Sequence, residues 1–257
     1  MTTTIIALVA LAASALTFFS GFGLGTLLLP AFAFFYPIDV AVASTALVHF
    51  LNGLFKLALV GRHADRRAVI RFGLPAIVSA FVGAWLLVRL ADVRPLASYT
   101  LFGTVAELHP VKLAVGMVLL ATVAFETVPR LAAATMPPRL LPLGGVISGF
   151  LGGLSGMQGA LRSAFLVRLG LTKEAFIGTG VVVAVLVDVS RLGVYARGVH
   201  AQRSAFDVGT LGVAVVAAFA GAVLGNRFLT QLTMRAMQRI VGTALALVAL
   251  ALIAGLL

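Results

Sequence analysis

The sequence predicts an all-α integral membrane protein of about eight transmembrane helices, built as two homologous repeats with broken Gly-rich helices. Three observations carry this reading. Of 257 residues, 61% are hydrophobic and 11% charged, with a mean hydropathy of +1.13; soluble domains are about 45–50% apolar and about 25% charged. The apolar runs continue for about 20 residues, one helical span each, where a barrel strand would alternate over about ten. A glycine-rich segment, Ser20-Gly-Phe-Gly-Leu-Gly-Thr-Leu-Leu-Leu-Pro30, has a relative 134 residues further on, in Gly152-Gly-Leu-Ser-Gly-Met-Gln-Gly-Ala-Leu-Arg-Ser-Ala164.

Thr3–Tyr36 is 34 residues long, too long for one crossing of about 20 and short for two. A span followed by a short broken piece fits, with the break in Ser20–Gly25, where glycine relaxes the backbone. No Lys or Arg precedes this run, so the small-residue patch Ala12-Ala-Ser-Ala15 reads as part of a retained span and not as a signal-peptide cleavage site. Tyr36-Pro-Ile-Asp39 is a turn. Val40–Val60 is the next span, with His49, Asn52 and Lys56 at helical spacing on one face. Gly61–Arg71 is a basic loop, and Phe72–Leu90 a span holding the one tryptophan, Trp85. Ala91–His109 is polar and bracketed by Pro95 and Pro110, and Val111–Val128 is the fourth span. After the proline-rich linker, Leu143–Leu169 carries the second glycine-rich segment. Ala175–Tyr195 is a span with Asp188 and Arg191, Arg197–Arg203 a second basic loop, and Phe206–Phe228 and Met237–Leu257 the closing spans.

The halves align in order. Gly25 falls on Gly159, Pro30 on Ala164, Thr45 on Thr179, Gly83-Ala84 on Gly221-Ala222, Arg89 on Arg227 and Val115-Gly116 on Val241-Gly242. The offset falls from 138 to 126 between the last two blocks, so the first half carries 12 extra residues around Leu96–Glu107. The division is a first repeat over 1–130, a linker over 131–142 and a second repeat over 143–257. With eight crossings, eight basic loop residues fall on each side, so the positive-inside rule leaves orientation open. An odd number of crossings per half would invert the second copy, so parallel and inverted repeats both remain.

There is no cysteine, which excludes disulfides, thiolate catalysis and cysteine metal sites. The four histidines, His49, His63, His109 and His200, form no metal-ligand spacing. No Gly-x-x-x-x-Gly-Lys-Ser/Thr loop is present, so the sequence implies no nucleotide and no other cofactor. The net charge of +11 suits loop arginines on anionic lipid and also a positive potential toward an anionic solute; nucleic acid is not implied.

Ser20-Gly-Phe-Gly-Leu-Gly-Thr-Leu-Leu-Leu-Pro30, the following Tyr36-Pro-Ile-Asp-Val-Ala-Val-Ala-Ser-Thr45, the basic loop Gly61–Arg71 and Gly83-Ala84 together resemble the sulfite exporter TauE/SafE family over nearly the whole chain. The resemblance implies a multi-pass bacterial inner-membrane permease of two repeats that transports, as an exporter, small anions of sulfur metabolism such as sulfite or organosulfonates. The second signature departs from the pattern: Ala164 stands in place of the proline, and Gln158 and Arg162 are unusual there.

An ionisable group at membrane depth costs at least about 2.5–3.5 kcal/mol on insertion scales, so each one needs a partner or a role. Arg162 directly follows the second break, and its guanidinium matches the oxygens of sulfite, sulfonate or carboxylate. It is the first candidate anion ligand, with Gln158, Ser163 and the backbone around Gly21, Gly23, Gly25, Gly156 and Gly159, since half-helix N-termini bind anions. Asp188 and Arg191 are three residues apart and can pair as a structural couple, or Asp188 can take up a proton. Asp188 and Arg191 join His49, Asn52 and Thr179 as pathway or coupling candidates. Lys56, five residues before the basic loop, suits snorkelling. The expected transport is rocking of one half against the other, driven by a gradient or by the membrane potential; a homodimer is one possible assembly.

Two other classes are compatible with parts of the sequence. A carrier or channel for another small anion or carboxylate would use the same lined path. Gly153-Leu-Ser-Gly156 matches the nucleophile motif of rhomboid-like intramembrane serine proteases, but the histidine downstream of it, His200, lies in a basic loop.

Overall fold

The computed structural model describes residues 1–16, 24–101, 104–132, 135–198, 207–228 and 234–257. The first apolar run contains α1 (Thr2–Leu16) and α2 (Leu24–Ala33); Ser20, Gly21 and Gly23 lie outside the described residues, as does His200. Pro37 caps α3 (Ile38–Val60) with an extended backbone, because proline fixes φ and cannot continue the preceding helix. A 3-10 turn (Gly61–His63) leads to α4 (Arg66–Ala68), capped by the Asp65 side chain, which accepts from the Ala68 N–H at 2.7 Å. A π turn (Val69–Gly73) joins α4 to α5 (Leu74–Ala91). Pro75 explains the π turn, since without an N–H it cannot bond the carbonyl four residues back.

The segment before Pro110 is not helical. Strands β1 (Ala97–Leu101) and β2 (Thr104–Leu108) pair antiparallel, with Ala97 opposite Leu108. This hairpin is the exception to the all-α expectation, and it lies in the stretch around 96–107 that the sequence comparison of the halves sets apart as extra. It rests on the C-terminal end of the chain: Tyr99 donates its hydroxyl to the Ala254 carbonyl at 2.6 Å, and the Glu107 N–H bonds the Gly255 carbonyl.

Next come α6 (Pro110–Thr127), the short α7 (Pro129–Ala132) and a 3-10 turn (Pro138–Leu140). The second glycine-rich segment is broken into α8 (Leu141–Ser155) and α9 (Gly159–Leu166). The break is made at Gly156, whose φ of 82° closes α8 in the left-handed conformation that side-chain-bearing residues avoid. A 3-10 turn (Val167–Leu169), α10 (Lys173–Gly198), α11 (Val208–Phe228) and α12 (Met234–Ile253) complete the chain. Among the described residues, the helical stretches Ile38–His63, Arg66–Ala91, Pro110–Thr127 and Lys173–Arg197 are long and apolar enough to cross a membrane. The apolar stretches in α1, α2, α11 and α12 are shorter.

Packing follows small residues, as it must where lipid removes the hydrophobic drive between helices. A Cβ at Gly145, Gly149 or Gly153 of α8 would lie 2.2, 2.2 or 2.1 Å from the carbonyl oxygens of Phe72, Ala76 or Ala80. Gly83 of α5 meets the Phe150 carbonyl in the same way. The α5–α8 pair is therefore in backbone contact along two full turns. α1 and α11 form a second close pair, with Gly221 against the Leu11 carbonyl and a Thr3–Thr210 hydroxyl bond of 2.7 Å. α3 packs on α10 and α6 on α12. The core between them is apolar, with Ile6, Leu28, Phe32, Leu119 and Leu245 fully or almost fully buried, while Val78, Phe81 and Trp85 face outward from α5.

Candidate functional site

The break between α8 and α9 opens onto a cavity of about 260 Å³. Ordinary ligand pockets are about 300–1,000 Å³, so this one suits a small solute. Its wall is drawn from five helices. Gly25 and Thr26 come from α2, His49 from α3, Thr122 and Glu126 from α6, and Ile147 and Leu151 from α8. Gly156, Met157, Gln158 and the first turn of α9 through Arg162 close it. The first N–H groups of a helix have no acceptor in their own helix and carry its positive dipole end. Here that end forms part of the wall.

Two polar side chains on the wall are almost wholly buried. Arg162 is 4% exposed and lies across α10, with its Nε 3.5 Å from where a Cβ at Gly180 would sit. It is also within electrostatic reach of Asp188 and of Lys56. Gln158 is 3% exposed, and neither its Oε1 nor its Nε2 has a hydrogen-bond partner among the described residues. Its backbone carbonyl, by contrast, accepts from the Ser148 hydroxyl at 3.0 Å and from the Arg162 N–H. Burying an amide without partners costs about 1–3 kcal/mol by protein data.

Behind the wall lies a satisfied ionic cluster. His49 Nδ1 is 2.6 Å from Asp188 Oδ2. Arg191 grips the other carboxylate oxygen through Nε at 2.9 Å and Nη2 at 2.7 Å, and its Nη1 reaches the Gly152 carbonyl. Tyr195 donates to the Gly153 carbonyl. Asp188 and Arg191 are 0% and 1% exposed. Gly156 sits directly over this cluster: a Cβ there would be 2.8 Å from Arg191 Nη1.

The model of the family "Sulfite exporter TauE/SafE" matches residues 6–252. The chain belongs to that family. No curated protein and no solved structure matches it. TauE/SafE membership over nearly the full length, with its apolar helices, makes this a transmembrane transport protein of the permease type.

In this TauE/SafE chain the cavity brings together Gly25, His49, Gly156, Gln158, Gly159 and Arg162. Ser163 sits one turn away, its hydroxyl bonded to the Gly159 carbonyl, and lines a small hollow beside α10 with Arg162. Asn52 is buried on α3 with its Oδ1 unpartnered among the described residues. Thr179 accepts from the Asp65 N–H at 2.8 Å, pinning α10 to the basic loop. Asp188 and Arg191 stand behind the wall. Ser155 donates to the Leu151 carbonyl and accepts from the Met157 N–H, and no described histidine is hydrogen-bonded to it.

Sequence reading passed over Glu126. It is 7% exposed and lines the cavity. The signal was available, since Glu126 is the one acidic residue in the apolar run 111–128.

Proposed function

We propose that this TauE/SafE chain is a permease for a small sulfur oxyanion or organosulfonate, bound in the cavity at the α8–α9 break. The observation that carries this reading is Arg162, a cation 4% exposed on the wall of a cavity of about 260 Å³, beside the N-terminal turn of α9. A guanidinium, a helix start and the Gln158 amide, unpartnered among the described residues, are three donors suited to an oxyanion. The family's own description names sulfite export, which favours sulfur anions over carboxylates.

The protein is proposed to span the membrane about eight times as two repeats. Helix pairing supports this. If α1, α3, α5 and α6 correspond to α8, α10, α11 and α12, then α1–α11 corresponds to α8–α5, and α3–α10 and α6–α12 map onto themselves. Gly83 and Gly221, aligned by sequence, each meet a carbonyl oxygen of the other half's first helix at 2.1 Å. The close pairs α5–α8 and α1–α11 therefore exchange helices between halves. On this reading the bodies that rock in alternating access are those mixed pairs, not the two halves of the sequence.

The test is a thermal-stability screen of purified protein with sulfite, sulfate, thiosulfate, taurine, ethanesulfonate and small carboxylates. A ligand that binds only the folded state raises the melting temperature. Stabilisation by a sulfur anion in the wild type that disappears in Arg162→Ala is expected. A carboxylate as the best ligand would move the substrate class, and equal stabilisation of wild type and Arg162→Ala would remove Arg162 from the site.

A further inference from the structure

We propose that Glu126 is the proton-binding residue of the anion cavity, so that one proton is bound and carried with each monoanion. The inference rests on the cavity being the transport site.

Two acidic residues stand near the cavity, and their surroundings differ. Asp188 is completely buried behind the wall, holds His49 and Arg191 at once, and could not leave them without stranding Arg191. Glu126 reaches the cavity from α6 and makes no hydrogen bond or ion pair with any described residue. Among the described residues, the other charged or titratable groups on the wall are His49 from α3 and Arg162 from α9. Asp188 and Arg191 are off the wall, with Asp188 within electrostatic reach of Arg162. No charged side chain of α5, of α8 or of residues 242–253 of α12 lines it. Lys56 of α3 and Arg130 of α7 are off the wall.

An ionised Glu126 places a negative charge in the chamber an anion must enter. A proton on Glu126 removes that charge while the Arg162 cation stays on the wall. Each ligand therefore favours the other, and by linkage the effect is reciprocal. Charge balance gives the same pairing. Loading adds one proton and one monoanion, so the net charge of the chamber is the same empty and loaded, whatever fixed charges surround it. With only the proton or only the anion aboard, that charge changes by one unit, which is costly at membrane depth. The empty and fully loaded states reorient and the half-loaded ones do not, which is the condition for coupled transport. No anion is consumed or altered: one proton joins the Glu126 carboxylate on one side and leaves it on the other.

The experiment uses wild type, Glu126→Gln and Glu126→Asp in sealed proteoliposomes holding a pH-sensitive dye, with radiolabelled ethanesulfonate outside. This probe stays ionised at every pH used, so any proton movement belongs to the protein. In the wild type we expect uptake to acidify the lumen, to be indifferent to a valinomycin-set potassium potential, and the apparent affinity to fall on the order of tenfold as Glu126 ionises with rising pH. Glu126→Gln should lose both the lumen acidification and the pH dependence, and Glu126→Asp should restore them. Uptake without acidification in the wild type overturns the proposal and leaves the permease reading standing. So does a Glu126→Gln protein that keeps the wild-type pH profile. No ethanesulfonate movement in the wild type overturns the permease reading and this proposal together.

Discussion

His49 and Asp188 are 139 residues apart in the chain and 2.6 Å apart in space, Nδ1 to Oδ2. The contact ties α3 to α10 beside the cavity, and it commits one ring nitrogen. With Asp188 ionised, Nδ1 must be the N–H donor, so the other nitrogen, Nε2, is left for the cavity side. Arg191 completes the cluster from the same helix as Asp188.

Asp188→Ala should be among the most destabilising single changes. It strands Arg191, 1% exposed, and breaking one partner of a buried pair costs about 3–5 kcal/mol. Thermal unfolding in detergent reads this, and His49→Gln should cost clearly less because Arg191 keeps its carboxylate. Equal losses in the two variants would show that the Arg191 contact does not dominate.

The α5–α8 pair predicts a sharp positional dependence among glycines. Gly149→Ala puts a Cβ 2.2 Å from the Ala76 carbonyl oxygen, so the helices must separate, at about 1–3 kcal/mol for overpacking. Gly193→Ala and Gly212→Ala, with nothing within 4 Å, should be neutral or mildly stabilising. A Gly149→Ala protein with the wild-type melting temperature would mean that the close approach is not required.

Gly156 and Gly170 both have positive φ, at 82° and 64°, which costs a side-chain-bearing residue about 1–2 kcal/mol. At Gly170 nothing lies within 4 Å, whereas at Gly156 a Cβ meets Arg191 Nη1 at 2.8 Å. Gly156→Ala should therefore lower the melting temperature more than Gly170→Ala, and should also weaken anion binding by disturbing the wall. Matching melting curves for the two variants would argue against a rigid Arg191.

At the start of α11, Asp207 accepts from the Thr210 hydroxyl at 2.5 Å and from the Thr210 N–H at 3.0 Å. These bonds hold its carboxyl below the ordinary aspartate value of 3.8. A depressed folded-state value means the stabilisation is complete above 3.8 and is lost as pH falls through the folded value. The stability difference between wild type and Asp207→Asn should thus be constant near neutrality and shrink below pH 3.8. A difference unchanged down to pH 2 would show that the charge plays no part in this cap.

Much of the fold could be read from the chain because membrane spans write themselves as apolar runs and prolines mark their ends. α3, α6 and α10 begin and end within two or three residues of the expected runs, and the α8–α9 break falls at the glycine cluster. The hairpin at 97–108 was hidden because its segment showed only polarity and flanking prolines, and its pairing onto Gly255 is a contact 148 residues long in sequence. At the site, Arg162 stood out as a charge beside a helix break. The pairing of α5 with α8 and of α1 with α11 could not be read, since a glycine stripe says that a backbone comes close but not which one. Glu126 was missed because it sits two residues from the end of its run, where a charge is ordinarily interfacial.

The most direct test of the central claim is ethanesulfonate and sulfite flux through proteoliposomes holding wild type or Arg162→Ala at equal density, with melting temperatures measured alongside. A hydrogen bond to a charged group is worth about 1.5–3 kcal/mol. The account therefore predicts saturable flux in the wild type and an apparent affinity about 10–100-fold weaker in a folded Arg162→Ala protein. Flux with the same affinity in both proteins would contradict it.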